Sequence, residues 1–513
     1  MDHMFKRFLL VVFSCAICWA QAAEPAWLET FDGATGSWPR DVQAQIPGRG
    51  GVIHISVAEG TPNPGRAITL SVPAEKLRGQ QIFFGADVKT TAISHKPNPW
   101  NGVKMMLVIE SADGKAFPQP EIPEGTHDWQ RYSTQVTAPQ TATNLTLVLG
   151  LEQVTGEAWF DNVRIVTKAR MQSSLKVDPS KPVFRGHNLS RLRGAMAGND
   201  LNEEDIKYFA TVWKGNLLRL QIFESARTDR ALEDYDSWLE QRLQSLDRVL
   251  TWCEKHRVMA VVDLHSPPGG QAFSAGYITA RGRIFTQPQA QAKFVQVWEK
   301  IASRYKGRQI IWGFDLVNEP DDSMLAEDCL DWNTLADKTA RAVRAIDPDR
   351  TLIIEPNQWG GPQAFDSFTP IDLPGVVYSF HFYTPMQFTH QGIHGNPGGV
   401  TYPGLIGTEN WNKEALERAM GPAIAFAQKY RVHMYVGEFS AIRSAPAGSA
   451  AKYLSDIIEI FEKHGFDWSY HAYREWQGWS LEHEGPLDKP VKAQSPTDRQ
   501  QAVTTWFSKN SKP

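Results

Sequence analysis

The sequence predicts a multidomain protein in which an all-β sandwich is followed by a (β/α)₈ barrel. Short alternating runs separated by turns fill residues 24–168, whereas apolar strands alternate with amphipathic helices from residue 178 to residue 513. The 513 residues suffice for both units, because a single hydrophobic core stops growing beyond about 250–300 residues. We expect residues 169–177 to link the two domains.

The sandwich prediction rests on runs in which apolar and polar residues alternate with a period of two. Clear examples are Ala67–Val72, Gln81–Val88, Val103–Ile109 and Asn144–Leu149. Turn residues separate these runs, and no long helical pattern interrupts them. This combination is typical of a two-sheet β-sandwich.

The barrel prediction rests on apolar runs that read as parallel strands: Val183–Asn188, Leu217–Phe223, Val258–His265, Ile310–Asn318, Thr351–Pro356, Val376–Tyr383, His433–Phe439 and Phe466–Tyr473. Amphipathic helical segments lie between most of them: Trp238–His256, Gln289–Tyr305, Trp332–Ile346, Glu414–Tyr430 and Ala450–His464. An open, doubly wound sheet is the competing architecture. No glycine-rich phosphate loop follows the first strand, which favours the barrel.

The amino terminus has the pattern of an export signal. Two basic residues precede the apolar run Phe8–Cys18, and the small-residue stretch Ala20-Gln21-Ala22 follows it, which predicts a signal peptide over residues 1–22. No later run is long enough to cross a bilayer. We therefore expect a secreted or periplasmic protein, a monomer, that does not contact a membrane once the signal is removed.

Charge and cysteine content narrow the possible functions further. The formal net charge of −4 offers no basic surface for nucleic acid. Loss of the signal peptide leaves Cys253 and Cys329, and an exported protein could pair them, although their helical surroundings are typical of buried thiols. Whether they are free stays open at this point.

Two short acidic motifs indicate the chemistry. Asn318-Glu319-Pro320 closes the fourth predicted barrel strand, and Gly437-Glu438-Phe439 closes the seventh. Catalytic groups of such barrels lie at the carboxyl ends of the strands, and two carboxylates that meet there are what cleavage of a glycosidic bond requires. Taken singly, each motif is equally well read as a solvated loop glutamate; together they favour catalysis.

Other polar residues lie at the same ends of the predicted strands: Arg219, His265, Asn318, His381 and Tyr383. Charged and imidazole groups are seldom placed beside continuous apolar strands without a shared partner, and a common site supplies one. Asp263-Leu264-His265 also permits a metal-binding interpretation, but no His-x-His pair accompanies it. We therefore expect neither a catalytic metal nor a cofactor.

These motifs, in this order and on these strands, resemble glycoside hydrolase family 5, the cellulase-type family of retaining barrel enzymes. They are Leu218-Arg219, Asp263-Leu264-His265, Asn318-Glu319-Pro320, His381-Phe382-Tyr383 and Gly437-Glu438-Phe439. The resemblance implies that Glu319 is the general acid/base and Glu438 the nucleophile, with carboxyl groups about 5–5.5 Å apart.

The physical chemistry of the named residues agrees with those roles. Arg219 and the Tyr383 hydroxyl would lower the pKa of Glu438, and the charge on Glu438 would raise the pKa of Glu319. Asn318 would bind the 2-hydroxyl of the sugar, an interaction that strengthens in the transition state. His265 and His381 would hold sugar hydroxyls or the carboxylates.

The amino-terminal domain resembles the jelly-roll carbohydrate-binding modules that accompany polysaccharide hydrolases. The resemblance rests on Trp129-Gln130-Arg131-Tyr132 and on the strand Ala158–Val163. It implies that Glu29 and Asp161 hold a structural calcium, and we expect exposed tryptophans such as Trp38, Trp100 or Trp129 to form a sugar platform. A purely structural sandwich is the alternative.

The substrate follows least directly from the sequence. An attached binding module favours a polymer, so we expect an endo-β-1,4-glucanase acting on β-glucan, with β-mannanase or xyloglucanase as the alternative. A carbohydrate-binding protein on an inactive barrel is the non-enzymatic alternative, and the presence of both glutamates argues against it. Trp359, after the fifth strand, is a candidate for stacking on a pyranose ring.

The eighth strand departs from the family pattern. Family members usually carry a tryptophan at its end as the floor of the cleavage subsite, whereas the aligned position here holds His471. An imidazole covers a sugar ring poorly. We expect Trp476 to fold over the barrel mouth as the floor, while His471 lies lower and bonds a carboxylate. The alternative is that Trp476 only covers the rim.

Overall fold

The computed structural model describes residues 27–29, 39–112, 114–168, 171–198, 200–224, 231–270, 272–274, 277–279, 283–323 and 325–512. The chain divides into two compact units, Met1–Arg170 and Met171–Pro513. The predicted signal peptide and Trp38 lie outside the described residues, as does the side chain of Glu29.

The first unit is an antiparallel β-sandwich, as predicted. Its strands are β1 Trp27–Glu29, β2 Gln43–Ile46, β3 Gly50–Val57, β4 Gly65–Val72, β5 Gln81–Ile93, β6 Gly102–Ser111, β7 Gly114–Ala116, β8 Gly125–Thr137, β9 Asn144–Glu152 and β10 Gly156–Lys168. One sheet has the order β2-β3-β10-β5-β8, with β1 also paired to β10, and the other has the order β4-β9-β6-β7. Ile53, Phe84, Leu107 and Phe160 are fully buried in its core.

Within this unit, Asp161 is held by protein groups. Its Oδ2 accepts a hydrogen bond from Arg49 Nε at 2.6 Å, and its Oδ1 accepts one from the Asn162 amide at 2.6 Å. Both oxygens of this carboxylate thus have protein partners, and its calcium role stays a prediction.

The second unit contains a closed barrel of parallel strands, which confirms the predicted fold. In barrel order the strands are Arg193–Ala197, Leu217–Gln221, Met259–Asp263, Ile311–Asp315, Thr351–Ile354, Val376–Phe382, Met434–Phe439 and Asp467–Tyr470. We refer to them as the first to eighth barrel strands. Short antiparallel hairpins are added at Ala272–Ser274 with Tyr277–Thr279, Gly404–Ile406 with Glu409–Trp411, and His483–Glu484 with Val491–Lys492.

Helices surround the barrel: Glu203–Tyr208, Tyr235–His256, Pro288–Tyr305, Trp332–Ile346, Met386–Thr389, Lys413–Ala419, Gly421–Tyr430, Ser449–His464 and Asp498–Phe507. A π-helical turn, Phe209–Trp213, extends the first helix, and short 3₁₀ turns lie at Leu232–Asp234, Arg283–Phe285 and Pro362–Asp366. Two further 3₁₀ turns, Arg40–Val42 and Ala74–Lys76, belong to the sandwich unit. The predicted single helix Glu414–Tyr430 is two helices, because Pro422 lies in the first turn of the second one and lacks the amide that would continue the first.

The prediction of a first barrel strand at Val183–Asn188 is wrong, because the strand is Arg193–Ala197. The earlier segment instead approaches the amino-terminal end of the barrel. His187 Nε2 lies 2.7 Å from Asp467 Oδ2, and Arg185 Nη2 donates to Asp467 Oδ1 at 3.2 Å. His433, just before the seventh strand, lies 2.6 Å from the same Oδ2. We call these four residues the basal cluster.

Cys253 is a free, buried thiol, and Cys329 is buried as well. Burial raises the pKa of the Cys253 thiol to about 12, so this thiol stays protonated. No helix in the described part of the chain has the length and apolarity needed to cross a membrane.

Candidate active site

The two predicted catalytic glutamates meet at the carboxyl-terminal end of the barrel. Glu438 belongs to the seventh strand, and Glu319 follows the fourth. One carboxylate oxygen from each, together with a ring nitrogen of His381, lie within 4.8 Å of one another. The Glu319 side chain is 17% exposed and the Glu438 side chain 4%. Glu319 is therefore the carboxyl group more open to a ligand.

Arg219 occupies the centre of the site and is fully buried. Its Nη1 donates to Glu438 Oε1 at 2.7 Å, its Nε to Asp315 Oδ2 at 2.9 Å, and its Nη2 to Glu355 Oε1 at 3.1 Å. Nη2 also lies 3.2 Å from Asp263 Oδ1. A buried guanidinium needs such a set of acceptors, because an uncompensated charge would cost several kcal/mol. The sequence predicted Arg219 beside Glu438 but missed the surrounding carboxylates.

The other oxygen of Glu438 faces a tyrosine and a histidine. The Tyr383 hydroxyl donates to Glu438 Oε2 at 2.9 Å and lies 2.5 Å from His471 Nδ1. His471 Nδ1 is itself 3.2 Å from Glu438 Oε2. Each carboxylate oxygen of Glu438 thus has a cationic neighbour, Arg219 at Oε1 and His471 at Oε2.

His381 joins the two halves of the site. Its Nδ1 lies 2.7 Å from Glu319 Oε1 and 3.6 Å from Glu438 Oε2, and its Nε2 lies 3.1 Å from Glu355 Oε1. Gly437 makes room for this ring, since a Cβ at that position would stand 2.9 Å from His381 Nε2. The glycine of the seventh-strand motif is therefore a packing requirement of the site.

The pKa values of the two glutamates are moved in opposite directions. Burial by itself would raise the pKa of Glu438, but His381, His471 and Arg219 outweigh it and hold that pKa well below its usual range. Burial raises the pKa of Glu319, the charges of Glu438 and Glu355 add to this, and His381 opposes it. Two carboxyl groups with divergent pKa values supply one acid and one anion near neutral pH.

Glu355 is a member of the site that the sequence prediction missed. Its Oε2 accepts a hydrogen bond from the Glu319 backbone amide at 2.9 Å. Glu319 has a φ of 46°, in the left-handed region, a conformation that a bonded amide helps to maintain. The sequence did contain a signal for this residue, because Glu355 directly follows the apolar fifth strand, just as Glu438 and His381 lie at the ends of their strands.

Asn318 and His265 lie where the sequence predicted, at strand ends, and both are tied to the buried polar network. Asn318 Oδ1 accepts from Arg219 Nη2 at 3.0 Å. His265 Nδ1 lies 2.9 Å from Asp263 Oδ2, and its ring packs edge-on against Phe223. Their orientations are therefore fixed before any ligand arrives.

The predicted aromatic residues lie in loops that follow the strands. Trp359 is exposed, and its amide donates to the carbonyl of Pro320, next to Glu319. Trp476 is 41% exposed and packs edge-on against the buried Trp479, at 5.2 Å between ring centroids. Trp479 in turn contacts the rings of Tyr383 and His471.

Two groups of side chains among the described residues have donor atoms close enough to share a metal ion: Glu319, His381 and Glu438 at the mouth, and His187, His433 and Asp467 at the base. In both, the donor atoms already pair with one another. Each group also includes an arginine, since Arg219 bonds Glu438 and Arg185 bonds Asp467. An arginine therefore bonds one carboxylate of each group, and the absence of a catalytic metal stays a prediction.

Two carboxyl groups, one with a raised and one with a lowered pKa, at the carboxyl-terminal end of a (β/α)₈ barrel are typical of the active site of a glycoside hydrolase. The family comparison agrees. The family model described as cellulase (glycosyl hydrolase family 5) matches residues 177–477, and the chain belongs to this family.

The chain is also similar to named enzymes. Endoglucanase C of Acetivibrio thermocellus is 31% identical over 266 residues, which cover 46% of this chain and 75% of the relative. Cellodextrinase A of Ruminococcus flavefaciens is 29% identical over 284 residues, 54% of this chain and 80% of the relative. A solved glycoside hydrolase structure aligns with a TM-score of 0.49 at 23% identity, over 61% of this chain and 99% of that one.

Proposed function

We propose that this enzyme is an endo-β-1,4-glucanase that cleaves β-glucan with retention of anomeric configuration. The observation that carries the retaining mechanism is the separation of Glu319 and Glu438, which bring carboxylate oxygens within 4.8 Å of each other. Retaining enzymes place the two carboxyl groups about 5–5.5 Å apart, whereas inverting enzymes leave about 6.5–9.5 Å for a water.

In the first step, Glu438 attacks the anomeric carbon while Glu319 protonates the departing glycosidic oxygen. The low pKa of Glu438 keeps it ionised, and the raised pKa of Glu319 keeps a proton available. The bond from the anomeric carbon to the leaving oxygen breaks as the bond to the Glu438 carboxylate forms. The product of this step is a covalent glycosyl-enzyme.

In the second step, the same residues act in reverse. The ester has removed the charge of Glu438, so the pKa of Glu319 falls and Glu319 can accept a proton from water. The water oxygen attacks the anomeric carbon and Glu438 leaves as a carboxylate. Arg219 at Oε1 and Tyr383 at Oε2 stabilise the charge that returns.

Azide rescue tests the assignment of roles. With an activated aryl glycoside, Glu319→Ala should still form the glycosyl-enzyme, because a good leaving group needs no acid. Added azide should then release a β-azide of retained configuration. Glu438→Ala with azide should give the inverted α-azide. The opposite pattern of products would reverse the two roles.

The choice of glucan rests on the relatives, whose names include endoglucanases and a cellodextrinase. Other β-glycans, mannan and xyloglucan among them, are the alternatives. Reducing-sugar release and product analysis on carboxymethylcellulose, lichenan, mannan and xyloglucan decide between them. Fastest release of short oligosaccharides from mannan would replace the glucanase assignment with a mannanase.

The amino-terminal sandwich is proposed to bind the same polysaccharide. A cleft of about 190 Å³ lies between residues 96–103 and residues 119–122, and Trp100, which adjoins two of its lining residues in sequence, is 61% exposed. An exposed aromatic face beside amide and carboxylate groups suits a sugar.

The segment before the sandwich has the pattern of an export signal, so we further propose that the enzyme acts outside the cytoplasm. Amino-terminal sequencing of the mature protein tests this.

Affinity electrophoresis tests the sandwich proposal in the full-length protein. Glu438→Gln serves as the background so that the polysaccharide in the gel is not digested. Adding Trp100→Ala should reduce retardation on glucan. Equal retardation of the two proteins would leave the sandwich as a spacer.

A further inference from the structure

A chain of hydrogen-bonding groups leads from the eighth-strand loop to the carboxylate of Glu438. Glu475 Oε2 lies 2.9 Å from His471 Nε2. On the other side of the ring, His471 Nδ1 lies 2.5 Å from the Tyr383 hydroxyl, which donates to Glu438 Oε2 at 2.9 Å. The four residues are therefore linked in this order, His471 Nδ1 also lies 3.2 Å from Glu438 Oε2, and both contacts are separate from the one between Arg219 and Oε1.

We propose that the pair of Glu475 and His471 is a positioning device for Glu438, which keeps a positive charge beside Oε2 and directs the Tyr383 proton onto that oxygen. The inference rests on the proposed role of Glu438 as nucleophile. It assigns to these residues a function in orienting and charging the nucleophile, at a position where family members usually carry a sugar-stacking tryptophan.

The direction of the hydrogen bonds follows from the acceptors. The carboxylate of Glu475 can only accept, so His471 Nε2 carries a proton. With Nδ1 also protonated, the ring donates to the Tyr383 oxygen, and the phenolic hydrogen is left to point at Glu438. A neutral ring would accept the phenolic hydrogen at Nδ1 and take it away from Glu438.

The charges around the ring keep it protonated. The titratable groups that face His471 are Glu438, Glu475, Tyr383 and His390. Burial disfavours the charged ring, but the two glutamates outweigh burial and raise the pKa of His471 to about 10. His390 remains neutral, because burial and neighbouring histidines lower its pKa to about 4.

The packing holds this arrangement in place. Trp479 is buried, and its ring centroid lies 6.0 Å from those of both His471 and Tyr383. Glu475 is held by His471 and is 27% exposed, so its charge can be removed with little disturbance of the core. Glu475 is therefore the residue at which the proposal is best tested.

The test measures kcat/KM from pH 5 to about pH 11 on a dinitrophenyl β-cellobioside, whose leaving group needs no proton from Glu319. Wild type should lose activity on the alkaline side near the pKa of His471, at about 10. Glu475→Gln keeps a hydrogen-bond acceptor but removes the charge, so this alkaline limb should shift to lower pH. His471→Asn keeps a donor near Nδ1 but cannot titrate, so the limb should disappear and kcat should fall by about 10-fold to 10²-fold, with KM changed less.

Glu484→Gln is the matched control, because Glu484 is exposed in the same carboxyl-terminal segment, and its pH profile should equal that of wild type. An unchanged alkaline limb in Glu475→Gln would overturn the proposal, including in the case that His471→Asn fails to fold. The proposed function is judged separately: full activity in Glu438→Gln would refute the nucleophile, whereas an inactive Glu438→Gln beside an unaffected Glu475→Gln would refute only the positioning device.

Discussion

The two ends of the barrel contain the same kinds of side chain and use them differently. Each end joins histidine nitrogens and carboxylate oxygens within 4.8 Å, and each adds an arginine. At the base, a single carboxylate, Asp467, takes two imidazoles, Arg185 and the Leu192 amide. At the mouth, two glutamates share His381, and only one of them is paired with Arg219.

This difference separates a stabilising cluster from a reactive one. The basal cluster concentrates donors on one acceptor, which drives the pKa of Asp467 far down despite its burial and leaves no carboxyl group with a spare proton. The mouth distributes its donors unequally, so one pKa rises while the other falls. A mechanism that uses one acid and one anion needs two carboxyl groups with different pKa values. It also needs a carboxyl group that a ligand can reach, and Glu319 is partly exposed whereas Asp467 is not.

The largest expected effect comes from removing the charge of one mouth carboxylate. Glu438→Gln should lower kcat on a polysaccharide by about 10⁴-fold or more, because no anion is left to form the glycosyl-enzyme. Glu319→Gln should lose activity on the same scale. Thermal unfolding should be little changed, and a strongly destabilised Glu438→Gln would mean that the mouth is a structural cluster like the base.

The basal cluster should show the reverse pattern. Asp467→Asn leaves two imidazoles and Arg185 without their anion, so we expect a loss of about 3 kcal/mol in the free energy of unfolding. The protein that remains folded should keep kcat/KM within a few-fold of wild type. Urea denaturation measures the loss of stability, and kinetics at low temperature measure the activity of the folded variant. A large loss of kcat/KM without destabilisation would contradict a purely structural role for the basal cluster.

An intermediate effect is expected from the aromatic rim of the mouth. If Trp476 forms the floor of the cleavage subsite, Trp476→Ala should reduce kcat/KM by about 10²-fold, roughly 3 kcal/mol of transition-state binding. Trp100→Ala is the control, because Trp100 is also exposed but lies in the sandwich, and it should leave hydrolysis of a small soluble glycoside unchanged. A change of only a few-fold in Trp476→Ala would make Trp476 a rim cover.

The smallest effects concern the pH dependence of stability, which should have opposite signs at the two ends. Burial lowers the pKa of His433, so below about pH 6.5 the unfolded chain binds a proton at this residue that the folded chain does not bind. The contribution of His433 to the free energy of unfolding is therefore lost as the pH falls below about 6.5. The pKa of His471 is raised to about 10, so its contribution is present below about pH 6.5 and is lost as the pH rises towards 10.

Denaturant titrations at pH 5, 7 and 9.5 measure these two contributions. The stability difference between wild type and His433→Gln should shrink from pH 7 to pH 5. The difference between wild type and His471→Asn should shrink from pH 7 to pH 9.5. Differences that stay constant with pH would remove the electrostatic distinction between the two histidines.

The sequence predicted the barrel because most of its strands are continuous apolar runs, and seven of the predicted runs overlap observed strands. The first strand escaped prediction because Arg193–Ala197 is rich in glycine and alanine. Gly194 is required there, since a Cβ would stand 1.9 Å from the Leu217 carbonyl of the second strand. Such close packing arises only when the barrel closes, so the local β-propensity of the sequence does not reveal it.

Most site residues that end strands could be predicted, although Glu355 was missed, whereas Glu475, which lies in a loop, could not. Arg219, Glu319, His381, Tyr383 and Glu438 followed from that rule and from the family resemblance. Glu475 did not, because it lies four positions after His471 in a segment that is not helical, and only the folded loop brings the two side chains together. The bond between His471 and a carboxylate was expected, and the structure contains it.

The missing side chain at Gly437 has a consequence for how sequences in this family diverge. The space that a Cβ would fill is occupied by His381 and by Ser379, whose Oγ would stand 2.8 Å away. Position 437 can therefore enlarge only if position 381 shrinks or turns, and we expect substitutions at the two positions to occur together among relatives. A relative with alanine at the first position and histidine at the second would have to orient its acid/base residue by other means.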